Sequence, residues 1–330
     1  PDDEAPHHKM GAELYGRMCA VCHGSSGEGY LADQATALRH PDFLASVTDD
    51  YLRQAIAEGR ANTTMSAWSV DRGGPLSRAD TDALITFIRG WGSGARKALD
   101  ERPNTGSAPS GAPNFARSCA SCHGPRGTGG PNVGIGNPEL LKHATNGFLR
   151  LAITKGRSGT PMPGFSATLG DPAVEDIVAL LRSWQTGSSS KPPPPVKRPD
   201  PIPLGPVPLN PHGPEPIGFQ LYPSATKADV VKAQLDRRAR IALLDARAPP
   251  DYMNEHIAGA VSVPFYDPDP YIASLPKDTW LVSYCSCPHA ESVTLARKLV
   301  AKGFSKVTVL DEGLGVWKRR KYETRTGAKP

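Results

Sequence analysis

The chain is poor in aromatic residues, which make up 7% of its 330 positions, and poor in sulfur, with six cysteines and five methionines. No apolar run approaches the roughly 20 residues a membrane-crossing helix needs, so none of its segments reads as a span. Six cysteines are too few to staple a chain of this length as a disulfide scaffold. What the sequence does hold in quantity is proline (34) and glycine (33), a composition of loop-rich domains joined by linkers. The length suits two or three domains, each with its own core. Net charge is +5 at pH 7 but unevenly spread: residues 1–95 are acidic, whereas 111–186 and 217–330 are basic. This spread gives no reason to expect a nucleic-acid partner. The run Lys318-Arg319-Arg320-Lys321 reads as a solvated face near the C-terminus. Because the sequence begins at Pro1, a processed N-terminus is expected, with any signal peptide or membrane tether lying upstream.

Two stretches read as linkers. Residues 93–111 mix Gly, Ser, Pro and charge without apolar periodicity, and residues 187–216 are dominated by proline. The second favours extended polyproline II, a semi-rigid spacer. The cuts leave blocks at 8–92, 112–186 and 217–325, and the first two are an internal repeat. Cys19-Ala-Val-Cys22-His23-Gly24 returns as Cys119-Ala-Ser-Cys122-His123-Gly124. Gly59-Arg60, with Met65 five residues after the arginine, returns as Gly156-Arg157 with Met162, and an aromatic follows each Met by three residues (Trp68, Phe165). Each block closes with an amphipathic helix. Ser77 caps the first, which aligns Leu84, Ile88 and Trp91; Asp171 and Pro172 open the second, which aligns Ile177, Leu180, Leu181 and Trp184. Met10, Leu14 and Met18 are spaced as the apolar face of an opening helix.

The spacing Cys-x-x-Cys-His has a chemical reason. Two thiols one helical turn apart reach the two vinyl groups on one porphyrin edge, and the next residue delivers an imidazole to the iron. A redox dithiol does not require the histidine, and a zinc site would want further Cys or His nearby. On these motifs each repeat resembles a small class I cytochrome c. The resemblance implies an all-α fold with crossed terminal helices and two covalently attached haem c groups. It also implies thioethers at Cys19, Cys22, Cys119 and Cys122. The iron ligands it implies are His23 with Met65 and His123 with Met162. Pro161-Met162-Pro163 follows the family's Met-Pro pattern, whereas Thr64-Met65-Ser66 lacks the proline. His/Met ligation leaves no open coordination position, so the implied role is electron transfer. His40 and His143 occupy equivalent loops and read as surface or core residues.

Residues 217–325 change character. Ile241–Asp245, Val261–Val263, Trp280–Tyr284 and Val307–Leu310 read as strands and 292–302 as a helix, which predicts an α/β domain with a mainly parallel sheet. The pieces Asp245-Ala-Arg247, Glu255-His256-Ile257-Ala-Gly259, Tyr284-Cys285 and Asp311-Glu-Gly313 through Trp317 resemble, in order, the rhodanese family. That resemblance implies a sulfurtransferase nucleophile at Cys285, carrying sulfane sulfur as a persulfide from thiosulfate or another persulfide. The loop Cys285-Ser-Cys287-Pro-His-Ala-Glu-Ser292 departs from the family in lacking an arginine and in being one residue longer. Cys287 reads as a resolving thiol, or as part of a metal site with Cys285 and His289. The alternative for the whole domain is a non-catalytic docking module. Together the resemblances imply a periplasmic protein, or one anchored facing the periplasm. Its expected partners are redox proteins of an electron-transport chain and small sulfur compounds.

Overall fold

The computed structural model describes residues 4–60, 63–186, 207, 209–286 and 289–330. They gather into two compact units, one drawn from 1–65 and 76–194, the other from 66–75 and 195–330.

The first unit is helical and repeats one plan twice. In the first copy, helix Glu4–Leu14 passes through a widened turn at Tyr15–Cys19 into Ala20–His23. Pro41–Ser46, Asp49–Glu58 and Arg78–Arg89 follow. In the second copy the counterparts are Ala108–Ser118, Ala120–His123, Pro138–His143, Asn146–Lys155 and the stretch Ser166–Thr186. Gly170 (φ +69°) breaks that last stretch, so its long helix starts afresh beside Asp171 and Pro172. First and last helices cross in each copy, and a glycine sits at each crossing. A β-carbon on Gly11 would stand 2.1 Å from the Ala83 carbonyl oxygen, and one on Gly111 would stand 2.2 Å from that of Asp176. Only hydrogen allows backbones so close.

The cores follow the closing helices. Leu84, Ile88, Ile177 and Leu181 are all at most 2% exposed, each burial contributing roughly 1.5–3 kcal/mol. Ser77 forms a reciprocal capping box with Asp80, as its place before the helix leads one to expect. The opening helix differs from expectation. Met18 is buried but Met10 and Leu14 are only partly so, and the inward face runs through Gly11 and Tyr15. The widened turn at Tyr15–Cys19 shifts the register that a regular helix would have kept.

One feature of the repeat is not visible in any short motif. Arg89 donates to the carbonyls of Leu44 and Val47 and to Asp49. Arg182 donates in the same way to Leu141, Ala144 and Asn146. Each arginine ties the closing helix to the end of one short helix and the start of the next.

Residues 93–111, read as a linker, are held in part by the second repeat. Helix Ala108–Ser118 starts within this stretch, and residues 100–105 lie on the second repeat. Arg150, buried, donates to the carbonyls of Asp100 and Arg102 at 2.7 and 2.8 Å and to the carboxylate of Glu175 at 2.6 and 2.8 Å. A buried guanidinium has to spend its donors on something, and the backbone of this apolar-poor segment supplies the acceptors.

In the second unit, strands β1 (Ala225–Thr226), β2 (Ile241–Asp245), β4 (Val261–Ser262), β5 (Trp280–Tyr284) and β6 (Val307–Leu310) form a parallel sheet in the order β1-β6-β5-β2-β4. β3 (His256–Ile257) and β7 (Thr324–Arg325) pair antiparallel beside it. Every residue of β2 is buried, as expected of a parallel strand covered on both faces. β5 lies at the centre of the sheet, so Cys285, the residue after it, emerges from the middle of the carboxyl edge. His256 is buried and stacks on Tyr252 at 3.9 Å, a packing role. The run 318–321 is exposed, as expected, and its cations pair at the surface: Lys318 with Glu255, and Arg320 with Asp229 and Glu312. Of the proline-rich stretch, 187–206 and 208 lie outside the described residues. Further along, Leu209 bridges to Ile241, and Glu215 pairs with Arg240 and Lys306.

Candidate functional site

The two Cys-x-x-Cys-His turns are built alike. Each ends in a glycine in the left-handed half of backbone space, Gly24 at φ +83° and Gly124 at φ +76°, which turns the chain sharply away after the histidine. In the first copy the Tyr15 hydroxyl donates to the Gly24 carbonyl at 2.8 Å and clamps the turn. His23 Nδ1 lies 2.9 Å from the Thr36 carbonyl, and His123 Nδ1 lies 2.8 Å from that of Val133. A carbonyl can only accept, so both rings carry the proton on Nδ1 and keep the Nε2 lone pair for a metal. Burial lowers the His23 pKa, which also favours the neutral imidazole a metal requires.

All four thiols are unbridged. Burial pushes Cys19 up to about 12 and Cys119 up to about 11, the latter helped by the neighbouring Cys122. These values are the reverse of what a dithiol oxidoreductase needs, since its attacking cysteine works as a thiolate.

The methionine loops match in backbone detail. Arg60 N–H donates to the Met65 carbonyl, and Arg157 N–H donates to that of Met162, both at 2.9 Å. Thr63 and Thr160 each accept from the Met N–H through their hydroxyls. The first loop thus closes without the proline that the second has. In the second repeat Cys119, Cys122, His123 and Met162 line one apolar cavity. Thr36 of the first repeat reaches the same cavity, whereas Cys19, Cys22, His23 and Met65 are not part of its wall. The two repeats meet through Tyr51 and Phe148, whose rings are 5.7 Å apart. Arg60 lies 5.4 Å from the first of these rings and Arg157 lies 5.4 Å from the second. His40 binds the Ser158 carbonyl at 2.9 Å. The thiol pair, the free Nε2 and the thioether in one apolar wall suit a haem c group.

At the sheet edge, Cys285 is 1% exposed and its thiol donates to Ser292 Oγ at 3.4 Å. Ser292 stands in helix Ala290–Ala301, which follows the loop. Arg247 enters from the end of β2. It holds Asp245 through two nitrogens, donates to the Glu255 carbonyl and reaches Ser286 Oγ at 3.1 Å. Asp245 and Arg247 are therefore partners of one another, and the loop that lacks its own arginine is touched by one from the neighbouring strand. Cys287 lies outside the described residues. His289 lies 3.3 Å from Asp311, and among the described residues no three His, Cys, Asp or Glu side chains gather as a metal site. Two carboxyls, Glu291, buried, and Asp251, half-buried, carry no motif signal and were not apparent in the sequence.

Tandem Cys-x-x-Cys-His turns with matching methionine loops, followed by a parallel sheet with a cysteine at its central carboxyl edge, define a pair of c-type cytochrome domains joined to a rhodanese-like domain. The chain carries tandem cytochrome c domains and a rhodanese-like domain: residues 7–88 and 106–181 match "Cytochrome C oxidase, cbb3-type, subunit III", and 227–320 match "Rhodanese-like domain". Two cytochrome domains carry two covalently attached haem c groups. The cytochrome part is 27% identical over 188 residues to the cbb3-type cytochrome c oxidase subunit FixP of Azorhizobium caulinodans, covering 54% of this chain and 59% of that one. It is 29% identical over 190 residues to FixP of Bradyrhizobium diazoefficiens, covering 54% and 61%. The chain thus spans about three fifths of the length of these relatives. The C-terminal part is 32% identical over 87 residues to the thiosulfate sulfurtransferase GlpE of Stutzerimonas stutzeri, covering 26% of this chain and 79% of that one. Among solved structures, the rhodanese-like domain of an Anabaena protein aligns at 29% identity with a TM-score of 0.29, covering 31% of this chain and 78% of that one. Among the described residues, no helix is long and apolar enough to cross a membrane.

Proposed function

We propose that the chain is an electron carrier with two haem c groups, whose rhodanese-like domain carries sulfane sulfur on Cys285. In this reading Cys19 and Cys22 bind one haem and Cys119 and Cys122 the other. His23 with Met65 and His123 with Met162 are the iron ligands. The observation that carries the reading is the exact recurrence of one cradle: a paired-thiol turn, a histidine oriented by a backbone carbonyl, and a methionine loop closed by an arginine N–H. Bound there, haem supplies a one-electron iron couple. The protein's part would be to hold each group through a histidine and a methionine, with the second repeat's apolar wall around one of them, so that no substrate reaches the iron. The partners are redox proteins of a respiratory chain such as the one the FixP relatives are named for. The site of action is the periplasm, with or without a tether upstream of Pro1. A reductive titration checks this: both haems take up one electron each, and carbon monoxide leaves the reduced spectrum unchanged. A carbon monoxide shift in the native protein would expose an open iron and overturn the carrier role.

For the sulfur site, support comes from the position of Cys285 at the central strand's end and from the GlpE relationship. Cys287 precedes Pro288, which has no N–H to offer an anion, so it is assigned the resolving role. Treatment with a sulfur donor is expected to add about 32 Da, one sulfur atom, to the peptide carrying Cys285. Cys285→Ser abolishes the adduct, and Cys287→Ser retains or prolongs it. Loss only in Cys287→Ser would reverse the assignment. No adduct with any donor would favour the docking-module alternative.

A further inference from the structure

The buried group that this mechanism leaves unused is Glu291. It is 6% exposed, in the first turn of helix Ala290–Ala301, directly before the serine that accepts from the Cys285 thiol. Among the described residues no Lys, Arg or His forms a salt bridge with it, and the charge of Arg247 is the cation that opposes its burial. The one guanidinium at the site, Arg247, is already committed to Asp245, Ser286 and the Glu255 carbonyl. A buried carboxyl with no cation of its own, placed at a nucleophilic thiol, is costly as structure and useful as an acid.

We infer that Glu291 is the general acid of the Cys285 site, donating a proton to the thiolate that leaves when an alkyl hydrodisulfide, R–S–SH, gives up its outer sulfur. The inference rests on the reading of Cys285 as the sulfur acceptor. The Cys285 thiolate attacks the outer sulfur; the Sγ–S bond forms and the bond from that sulfur to R–S breaks. The departing R–S⁻ takes the Glu291 proton and leaves as R–SH. The new Cys285–S–SH then returns its proton to the Glu291 carboxylate. The sum is Cys285–S⁻ plus R–S–SH giving Cys285–S–S⁻ plus R–SH, balanced in atoms, charge and electrons, with no oxidant or reductant.

The groups facing Glu291 favour its acid form. Burial raises its pKa well above the ordinary carboxylate value. The charges of Cys285 at the end of β5, Asp251 of helix Pro249–Asn254 and Asp245 at the end of β2 raise it further, and Arg247 opposes them. Asp251 is itself raised by burial, eased by Arg247 and by the hydroxyl of Ser66. The site thus resists a second negative charge beside the thiolate. An alkyl thiolate is a poor leaving group unless it is protonated, and Glu291 meets that need. Sulfite departing from thiosulfate is stable as an anion and has no such need, so the acid matters more to one donor class than to the other.

The test is the rate of sulfur addition to Cys285 in the full dihaem chain, read by quenched mass spectrometry with cysteine hydrodisulfide or thiosulfate as donor. With the hydrodisulfide, Glu291→Gln slows addition on the order of 100-fold near neutrality. With thiosulfate, whose departing sulfite needs no proton, the loss is much smaller. The donor's own titration is common to both chains and cancels in the ratio of wild type to variant. That ratio is large below the Glu291 pKa and falls towards one as pH rises through it. If Glu291→Gln proves unfolded, Glu291→Asp keeps an acid and keeps the pH-dependent limb. Equal rates at every pH, or equal losses with both donors, would overturn the role of Glu291 while leaving Cys285 in place. No adduct on wild-type Cys285 with either donor would overturn both readings.

Discussion

Replacing Arg150 with methionine is expected to lower the unfolding free energy by about 3–5 kcal/mol, the usual cost of removing one partner from a buried ion pair. Arg150 and Glu175 are both under a tenth exposed, and their contacts at 2.6 and 2.8 Å are bidentate. Without the guanidinium, Glu175 keeps only Arg102, Asn104 and the Thr105 N–H, and the carbonyls of Asp100 and Arg102 lose their shared donor. Denaturant unfolding followed by helical circular dichroism measures the loss. A change below about 1 kcal/mol, the scale of an exposed pair, would show the pair to be solvated. Replacing Glu175 with leucine in the same chain should recover much of the deficit, because an apolar pair needs no counter-charge. The pair also sets an acid limit. Hydrogen bonds from Arg150 hold the Glu175 pKa down at about 2, from an ordinary 4.5. Its stabilisation is therefore complete above the unfolded-state pKa and is lost as pH falls through the folded value. The Arg150→Met chain should show a flatter stability curve between about pH 4.5 and 2.

Substituting Met162 by alanine should remove the sulfur-to-iron charge-transfer band of one haem, about half of the total, and lower that haem's potential, since the thioether favours the reduced iron. The Met162 loop is closed by Arg157 N–H and Thr160, both through backbone atoms that the substitution leaves intact. The side chain can therefore be removed without opening the loop. Met65→Ala should remove the other half by the same reasoning, because Arg60 and Thr63 close its loop equivalently. An unchanged spectrum in Met65→Ala would mean that the proline-free loop does not deliver its sulfur, and that the internal repeat is a guide to backbone only.

The haem cradles were legible because their chemistry is local. Two thiols and a histidine in five residues, and a methionine five residues beyond an arginine, need no tertiary knowledge to be read. The strands β2, β5 and β6 were legible for a related reason, since a strand buried on both faces is a continuous apolar run. Short strands such as β1 and β3 were not, because two residues carry no period. The hold on residues 100–102 was not legible because their partner is distant: it is a guanidinium some 50 residues later, offering donors to backbone that has no side-chain signature. The Arg89 and Arg182 ties were hidden in the same way, their acceptors being carbonyls. At the sheet's carboxyl edge, Cys285 followed from its place after an apolar strand. Glu291 did not, because a glutamate in a helix's first turn is ordinarily a solvated residue satisfying the dipole. Only its burial distinguishes it.

The central claim is that one chain holds two covalently attached haems, and the measurement closest to it is the count of haem per chain that survives acid–acetone extraction. Two haems are expected in the native protein. Replacing Cys119 and Cys122 by alanine should leave one, with the first repeat's spectrum intact. A single covalent haem in the native chain, or a variant that still carries two, would contradict the account.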